Sequence, residues 1–119
     1  MVAPNVVGVT SILGKTDVQS VDTGLTAITT CPTDKLYKIN SLIVSNIDGT
    51  AAADITVDLV RSATSYRIAS TITVPADTTL VVISKDMGIY LEEGDALRCS
   101  ASAAGDLQAL CSYEIIDDA

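Results

Sequence analysis

Leu36 to Arg61, LYKINSLIVSNIDGTAAADITVDLVR, is the stretch on which the fold turns. Its first half holds the apolar run Leu42-Ile43-Val44, flanked by Ile39 and Ile47. Its second half alternates, with Ile55, Val57 and Leu59 in one phase and Asp54, Thr56 and Asp58 in the other. Successive side chains of a strand point to opposite faces, so a two-residue period marks a strand with one apolar and one wet face. Asp48-Gly49, between the halves, supplies residues that tolerate positive φ. The stretch therefore reads as a β-hairpin, with Thr50 and the following alanines making its connection longer than a two-residue turn.

Working outward toward the N-terminus, Leu25 to Thr30 reads as a short strand ended by Pro32, and Thr16 to Val21 as an edge strand or an extended arm. Asn5 to Leu13 is apolar in both phases, as expected of a strand covered on two sides, and Gly14-Lys15 breaks it. Toward the C-terminus, Ser62 to Ser65 reads as a turn, and Tyr66, Ile68, Ser70, Ile72 and Val74 mark one face of a strand closed by Pro75-Ala76-Asp77. Leu80 to Ile83 and Ile89 to Leu91 are short apolar strands, and Glu92 to Asp95 is a polar turn. Ala96 to Ala103 and Leu107 to Ile116 alternate about Gly105-Asp106 and read as a second hairpin. No segment carries helical periodicity over ten or more residues. About eight to ten short strands punctuated by turn signals predict an all-β, single-domain antiparallel β-sandwich of jelly-roll type. It spans residues 1–119, with 1–30 supplying either edge strands or an arm that reaches a partner.

Composition bounds the function. With no Trp, no Phe and four Tyr, the 48% hydrophobic content is mostly Ala, Val, Ile and Leu, so each core side chain buries little area. A thin core in 119 residues predicts a subunit that gains stability by burying surface against copies of itself or a larger partner. Seven Lys plus Arg against fifteen Asp plus Glu give a net charge of −8, which opposes binding to a phosphate backbone. No apolar run approaches the roughly eighteen residues of a membrane helix, and Met1 to Asn5 shows neither a basic nor an apolar leader region. The expected partners exclude nucleic acid and membrane, and the expected site of synthesis is a cytoplasm, which the resemblance described below would make that of a bacterial host.

The absence of histidine removes the usual general base, the usual metal ligand and any Ser-His or Cys-His nucleophile. Neither GxGxxG nor GxxxxGK occurs. The acidic clusters at Glu92, Glu93 and Asp95, and at Asp48 and Asp54, lack the ligand spacing of a dedicated cation loop and read as solvated surface. Cys31, Cys99 and Cys111 are odd in number and widely spaced. Cys99 and Cys111 fall in phase with apolar neighbours and read as small buried hydrophobes; a bond between them would need their strands to pair and an oxidising compartment. The expectation is no enzyme, no catalytic residues, no cofactor and no metal. The candidate interface residues are Arg61, Arg67 and Arg98, few cations set in or beside strands, and Tyr90 beside the EEGD turn. Each arginine is suited to a bidentate contact with a neighbour's carboxylate, or else to an ion pair within its own chain. Tyr37, Tyr66 and Tyr113 read as residues at the rim of the core.

The segments LYKINSLIVSNIDGT, DITVDLVRS, YRIASTITVPADTTLVVISKD, IYLEEGDALR and CSYEII cover about two-thirds of the chain and resemble small virion proteins of tailed bacteriophages. VPADTTLVVISKDMGIYLEEGDALR, residues 74–98, is the most distinctive piece. The resemblance implies a non-enzymatic β-sandwich: a capsid decoration (cement) protein on the outer surface of the virion, forming a homotrimer that binds the major capsid protein across capsomers. Its alternative is a neck, tail or fibre subunit contacting other virion proteins. A carbohydrate- or receptor-binding β-sandwich is a third reading, from a different functional class.

Overall fold

The computed structural model describes residues 11–117. Their strands are β1 (Ser11–Ser20), β2 (Thr26–Thr30), β3 (Lys35–Asn46), β4 (Ala53–Arg61), β5 (Thr64–Val74), β6 (Thr79–Ile83), β7 (Ile89–Leu91), β8 (Ala96–Ala101) and β9 (Leu107–Asp117). A 3₁₀ turn, Lys85–Met87, links β6 to β7 and ends at Gly88, whose φ of 64° is the left-handed value that glycine adopts without cost. Among the described residues no helix is long and apolar enough to cross a membrane.

The strands form two antiparallel sheets. The first has the order β1-β9-β3-β6, with β7 continuing along the same edge of β3 as β6; the second has the order β2-β8-β4-β5. The pairings β1 with β9, β2 with β8, β3 with β6 and β7, and β4 with β5 join strands nearly equidistant from Ser62-Ala63. The chain is thus one long antiparallel ribbon closed at its midpoint and wound into two layers, the strand order of a jelly roll. Alternation decides which side chains meet between the layers. Leu42 and Val44 of β3 and Leu107, Ala109 and Cys111 of β9 face Ile55 and Val57 of β4 and Leu97 and Cys99 of β8, all fully buried. The rings of Tyr37 and Tyr113 stack at a centroid distance of 4.5 Å, so these two tyrosines fill core volume, whereas Tyr66 stays 57% exposed.

Three local readings of the sequence are corrected. Asp48-Gly49 does not close a hairpin, because β3 and β4 lie in different sheets. The side chain of Asn46 donates to Ala51 O at 3.0 Å and Val74 O at 2.9 Å and accepts from Asp48 N–H at 2.9 Å, while Asp48 accepts from Thr50 and Ala51 N–H. These bonds turn the chain across the sandwich instead of back along β3. Likewise β8 and β9 are not a hairpin: Gly105 turns the chain at φ 83°, and the next strand pairs with β3 in the opposite sheet. Gly14-Lys15 does not interrupt β1, whose register with β9 runs unbroken from Ser11 to Ser20. Residues 5–10 of the strand expected at Asn5 to Leu13 lie outside the described residues, as does the part of the 1–30 arm before Ser11.

The turn at Ser62 to Ser65 is where the sequence places it, and it is the point at which the ribbon closes. Ser62 and Ala63 take φ 52° and 62°. A two-residue hairpin loop with positive φ at both positions matches the right-handed twist of its strands. Neither residue is glycine or asparagine, so each carries the cost of a Cβ in the left-handed region. Ala63→Gly is therefore expected to raise folding stability by about 1 kcal/mol, read as a higher urea midpoint at unchanged slope. A loss of stability would show that the turn is not held in that conformation.

Candidate functional site

The outer faces of the two sheets differ in chemistry. On the β2-β8-β4-β5 sheet, Asp58 of β4 stands in register with Arg98 of β8 on one side and Arg67 of β5 on the other. Arg98 Nε and Nη2 donate to the two oxygens of Asp58 at 3.0 and 2.9 Å, and Nη2 also reaches Ser65 Oγ at 2.6 Å. The Asp58 side chain is 0% exposed and that of Arg98 is 30% exposed, so the guanidinium lies over the carboxylate as a lid. Burial alone would push the Asp58 carboxyl up; the hydrogen bonds and charge of Arg98, aided by Ser65 and Arg67, outweigh it and hold the carboxyl below its ordinary value.

At one end of the sandwich, Arg61 closes a second ionic group. Its Nε donates to both oxygens of Asp95 at 3.0 and 2.9 Å, and its Nη2 lies 2.5 Å from Asp95 Oδ2 and 3.0 Å from Glu92 Oε2. Asp95 also accepts the Glu92 N–H, Asp34 N–H donates to Glu93, and the Cys31 and Asp95 backbones are bonded. These contacts tie together the β2–β3 loop, the β4–β5 turn and the β7–β8 turn around a cleft of about 380 Å³. The acids of the EEGD turn thus neutralise a cation of their own chain and bind backbone N–H groups. Among the described residues no group of three His, Cys, Asp or Glu could hold a metal ion. All three thiols are buried, and that burial pushes Cys31 up to about 11 and Cys99 and Cys111 up to about 12. No disulfide joins them, and β8 and β9, which carry Cys99 and Cys111, belong to different sheets.

The outer face of the β1-β9-β3-β6 sheet is of another kind. Val18, Leu110, Ile43 and Val81 stand in one register row across all four strands. Val18 is 72% and Val81 56% exposed. The row above is Ser20, Gln108, Ser45 and Thr79, and the row below is Thr16, Ser112 and Ser41. Hydroxyl pairs Thr16–Ser112 and Ser45–Thr79, at 3.0 and 3.1 Å, satisfy these side chains within the face. An apolar stripe bordered by short polar side chains, with no charge in any of the three rows, lies on a chain of net charge −8. Tyr90 stands just below it, in register with Lys38.

No protein-family model matches the sequence, and no curated protein matches it. Solved structures do match the fold. A chain from Bacillus endospore appendages, described as disulfide-linked pili, superposes with a TM-score of 0.55 at 13% identity, over 92% of this chain and 90% of that one. A pentameric capsid protein isolated from metagenomic phage sequences gives 0.45 at 17% identity, over 87% of this chain and 64% of its own. A chain of infectious bursal disease virus gives 0.48 at 12% identity, over 91% of this chain and 32% of its own. At these identities the first likeness speaks to the fold, and it agrees with the sandwich described above.

The four residues singled out from sequence are not brought to one place. Arg67 and Arg98 flank Asp58, Arg61 closes the end of the sandwich, and Tyr90 borders the uncharged face. Sequence reading missed that face and the partners of the arginines. Alternation places Asp58 on a wet side, and only the register of β8 reveals its lid.

The Asp58–Arg98 pair has an asymmetry that can be measured. Arg98→Ala strips the lid and its two charge-assisted hydrogen bonds from the Asp58 carboxylate and is expected to cost on the order of 2 kcal/mol at neutral pH. Asp58→Ala is expected to cost less, because the freed guanidinium can turn to water. In the parent protein the Asp58 contribution is complete above the ordinary carboxyl value of 3.8 and is lost as pH falls through its lowered one. In Arg98→Ala the stranded carboxyl takes a proton more readily, so its deficit shrinks on acidification. Urea midpoints across pH check both signs, and equal costs for the two variants would contradict the lid.

Proposed function

We propose that the chain is a non-enzymatic structural subunit of a tailed-phage virion. Its role is that of a capsid decoration protein that stabilises the shell by docking across capsomers. The observation that carries this reading is the uncharged face built on Val18, Leu110, Ile43 and Val81. On an acidic protein, self-repulsion opposes crowding of many copies, and a face free of charge is where a neighbour can approach without desolvating ions. A thin core of Val, Ile, Leu and Tyr makes such burial worth having. The sequence resemblance to small virion proteins supports the reading, and the jelly-roll sandwich suits it, since that architecture serves in viral shells. Many weak contacts add up by avidity, and closed symmetry, a trimer in this reading, uses every docking face without leaving an open end.

The alternative is a neck, tail or fibre subunit of the same fold. A pilus-type polymer held by disulfides, as described for the endospore appendage, is disfavoured, because all three cysteines here are buried.

Two measurements test the proposal. Counting copies per purified particle by quantitative mass spectrometry is expected to give hundreds; roughly a dozen or fewer would move the chain to the neck or tail. Val18→Glu and Val81→Lys change side chains that are already more than half exposed, so they should alter folding stability by no more than about 0.5 kcal/mol. They are expected to abolish binding to undecorated shells and the gain in heat resistance it brings. Shells that gain no resistance from the parent protein would end the decoration reading.

A further inference from the structure

The charges of the chain are sorted along the sandwich. The β1–β2, β3–β4, β5–β6 and β8–β9 connections meet at one end, and they carry Asp22, Asp48, Asp77 and Asp106 in turn. Backbone hydrogen bonds tie them together: Asp77 N–H donates to Asp48 O, Ile47 N–H to Asp106 O and Ala101 N–H to Asp22 O. All seven Lys and Arg lie nearer the other end. Among the described residues, no ion pair reaches these four acids. Ile47, beside Asp48, is 53% exposed and offers an apolar contact among them.

The opposite surplus lies on the outer face of the β2-β8-β4-β5 sheet. Lys15, Lys35, Arg61 and Arg98 are each paired with a carboxylate of their own chain. Lys38 shares a row with Glu114, and Lys85 adjoins Asp86. Arg67 has no carboxylate to itself. It is exposed and stands across β4 from Arg98, and the Asp58 between them gives both oxygens to Arg98. Two guanidinium groups thus flank one buried carboxylate, which leaves a positive charge on this flank. The adjoining row, Thr30, Ala96, Val60 and Ser65, is small and uncharged, so a neighbour can come close.

We propose that the aspartate end of one copy docks on the Arg67–Arg98 flank of the next. The inference rests on the reading of the chain as an assembly subunit and names its partner as a second copy. Both halves of a complementary contact are carried by this one chain. Copies of net charge −8 repel one another, and the contact they make best is the one that sets acid against base. A guanidinium can take both oxygens of a carboxylate at once, which fixes orientation as well as sign. Ile47 adds apolar burial beside the charges. An end that meets a flank is a heterologous contact, and such contacts close into a ring when the rotation between copies allows it. A trimer is a ring of that kind, and its formation here leaves the row of Val18 and Val81 open to a shell.

Sedimentation of the full chain over a range of concentrations tests this. The parent is expected to associate. Arg67→Gln removes the charge without setting an acid beside Asp58, and it is expected to weaken association about tenfold, the effect of 1.4 kcal/mol. Asp77→Lys together with Asp106→Lys is expected to weaken it at least as much. Arg67→Glu, Asp77→Lys and Asp106→Lys joined in one chain exchange the two signs and are expected to restore association, which a folding defect would not do. Association unchanged by Arg67→Gln would overturn the contact. So would a sign-exchanged chain that keeps the parent urea midpoint and still fails to associate, or a parent that sediments as a monomer at every concentration. Heat resistance of shells mixed with the parent is read separately. Its absence would end the decoration reading and leave this contact standing, whereas a failed contact leaves that resistance to be seen.

Discussion

Pairing of β3 with β9 is the contact on which the molecule depends. It joins Lys35 to Asp117 at one end and Asn46 to Leu107 at the other, with a single register shift between Ile39 and Ser41. β1, β6 and β7 attach to this pair, and its inner side chains form one wall of the core. None of these contacts is local. The ribbon must close its longest loops before the central pair gains anything, so folding is expected to be slow for a chain of this length. The short loop at Ser62-Ala63 closes at little entropic cost, and the β4–β5 ladder is where pairing is expected to start.

Charge is distributed to suit that arrangement. Arg98 and Arg61 each sit in register or at a strand end where a carboxylate would otherwise be buried alone, and each is held by two or more hydrogen bonds. Such pairs add little net stability over an apolar substitute, yet losing one member is costly. They fix register instead: a one-residue slip of β8 against β4 would pull Arg98 off Asp58 and turn Leu97 and Cys99 out of the core. On the other sheet, the rows of Val18, Ser20 and Thr16 carry no charge, and Lys38 and Glu114 come together only in the row of Tyr90.

How much of this could be read from sequence depends on the range of the signal. Alternation in Asp54 to Arg61 and Leu107 to Ile116 located strands, and the absence of helical period gave the class, because both follow from backbone geometry over a few residues. Ser62-Ala63 was found as a turn for the same reason. Asp48-Gly49 and Gly105-Asp106 mark reversals in the sequence, but neither closes a hairpin. Turn residues report that the chain changes direction, not whether the next strand returns beside the last or crosses to the facing layer. Asn46, buried among apolar neighbours, was the available clue that something other than a simple turn followed. The site was less legible still. Val18 and Val81 are unremarkable alone, and only the register that sets them in line with Leu110 and Ile43 makes a face of them.

The three cysteine sulfur atoms are buried, with their thiols pushed far above neutrality. A thiol in that state offers almost no thiolate to peroxide or to another thiol. A change from reducing to oxidising surroundings would therefore leave these three thiols as they are. No disulfide joins the described strands, so the two layers are held to one another by noncovalent contacts.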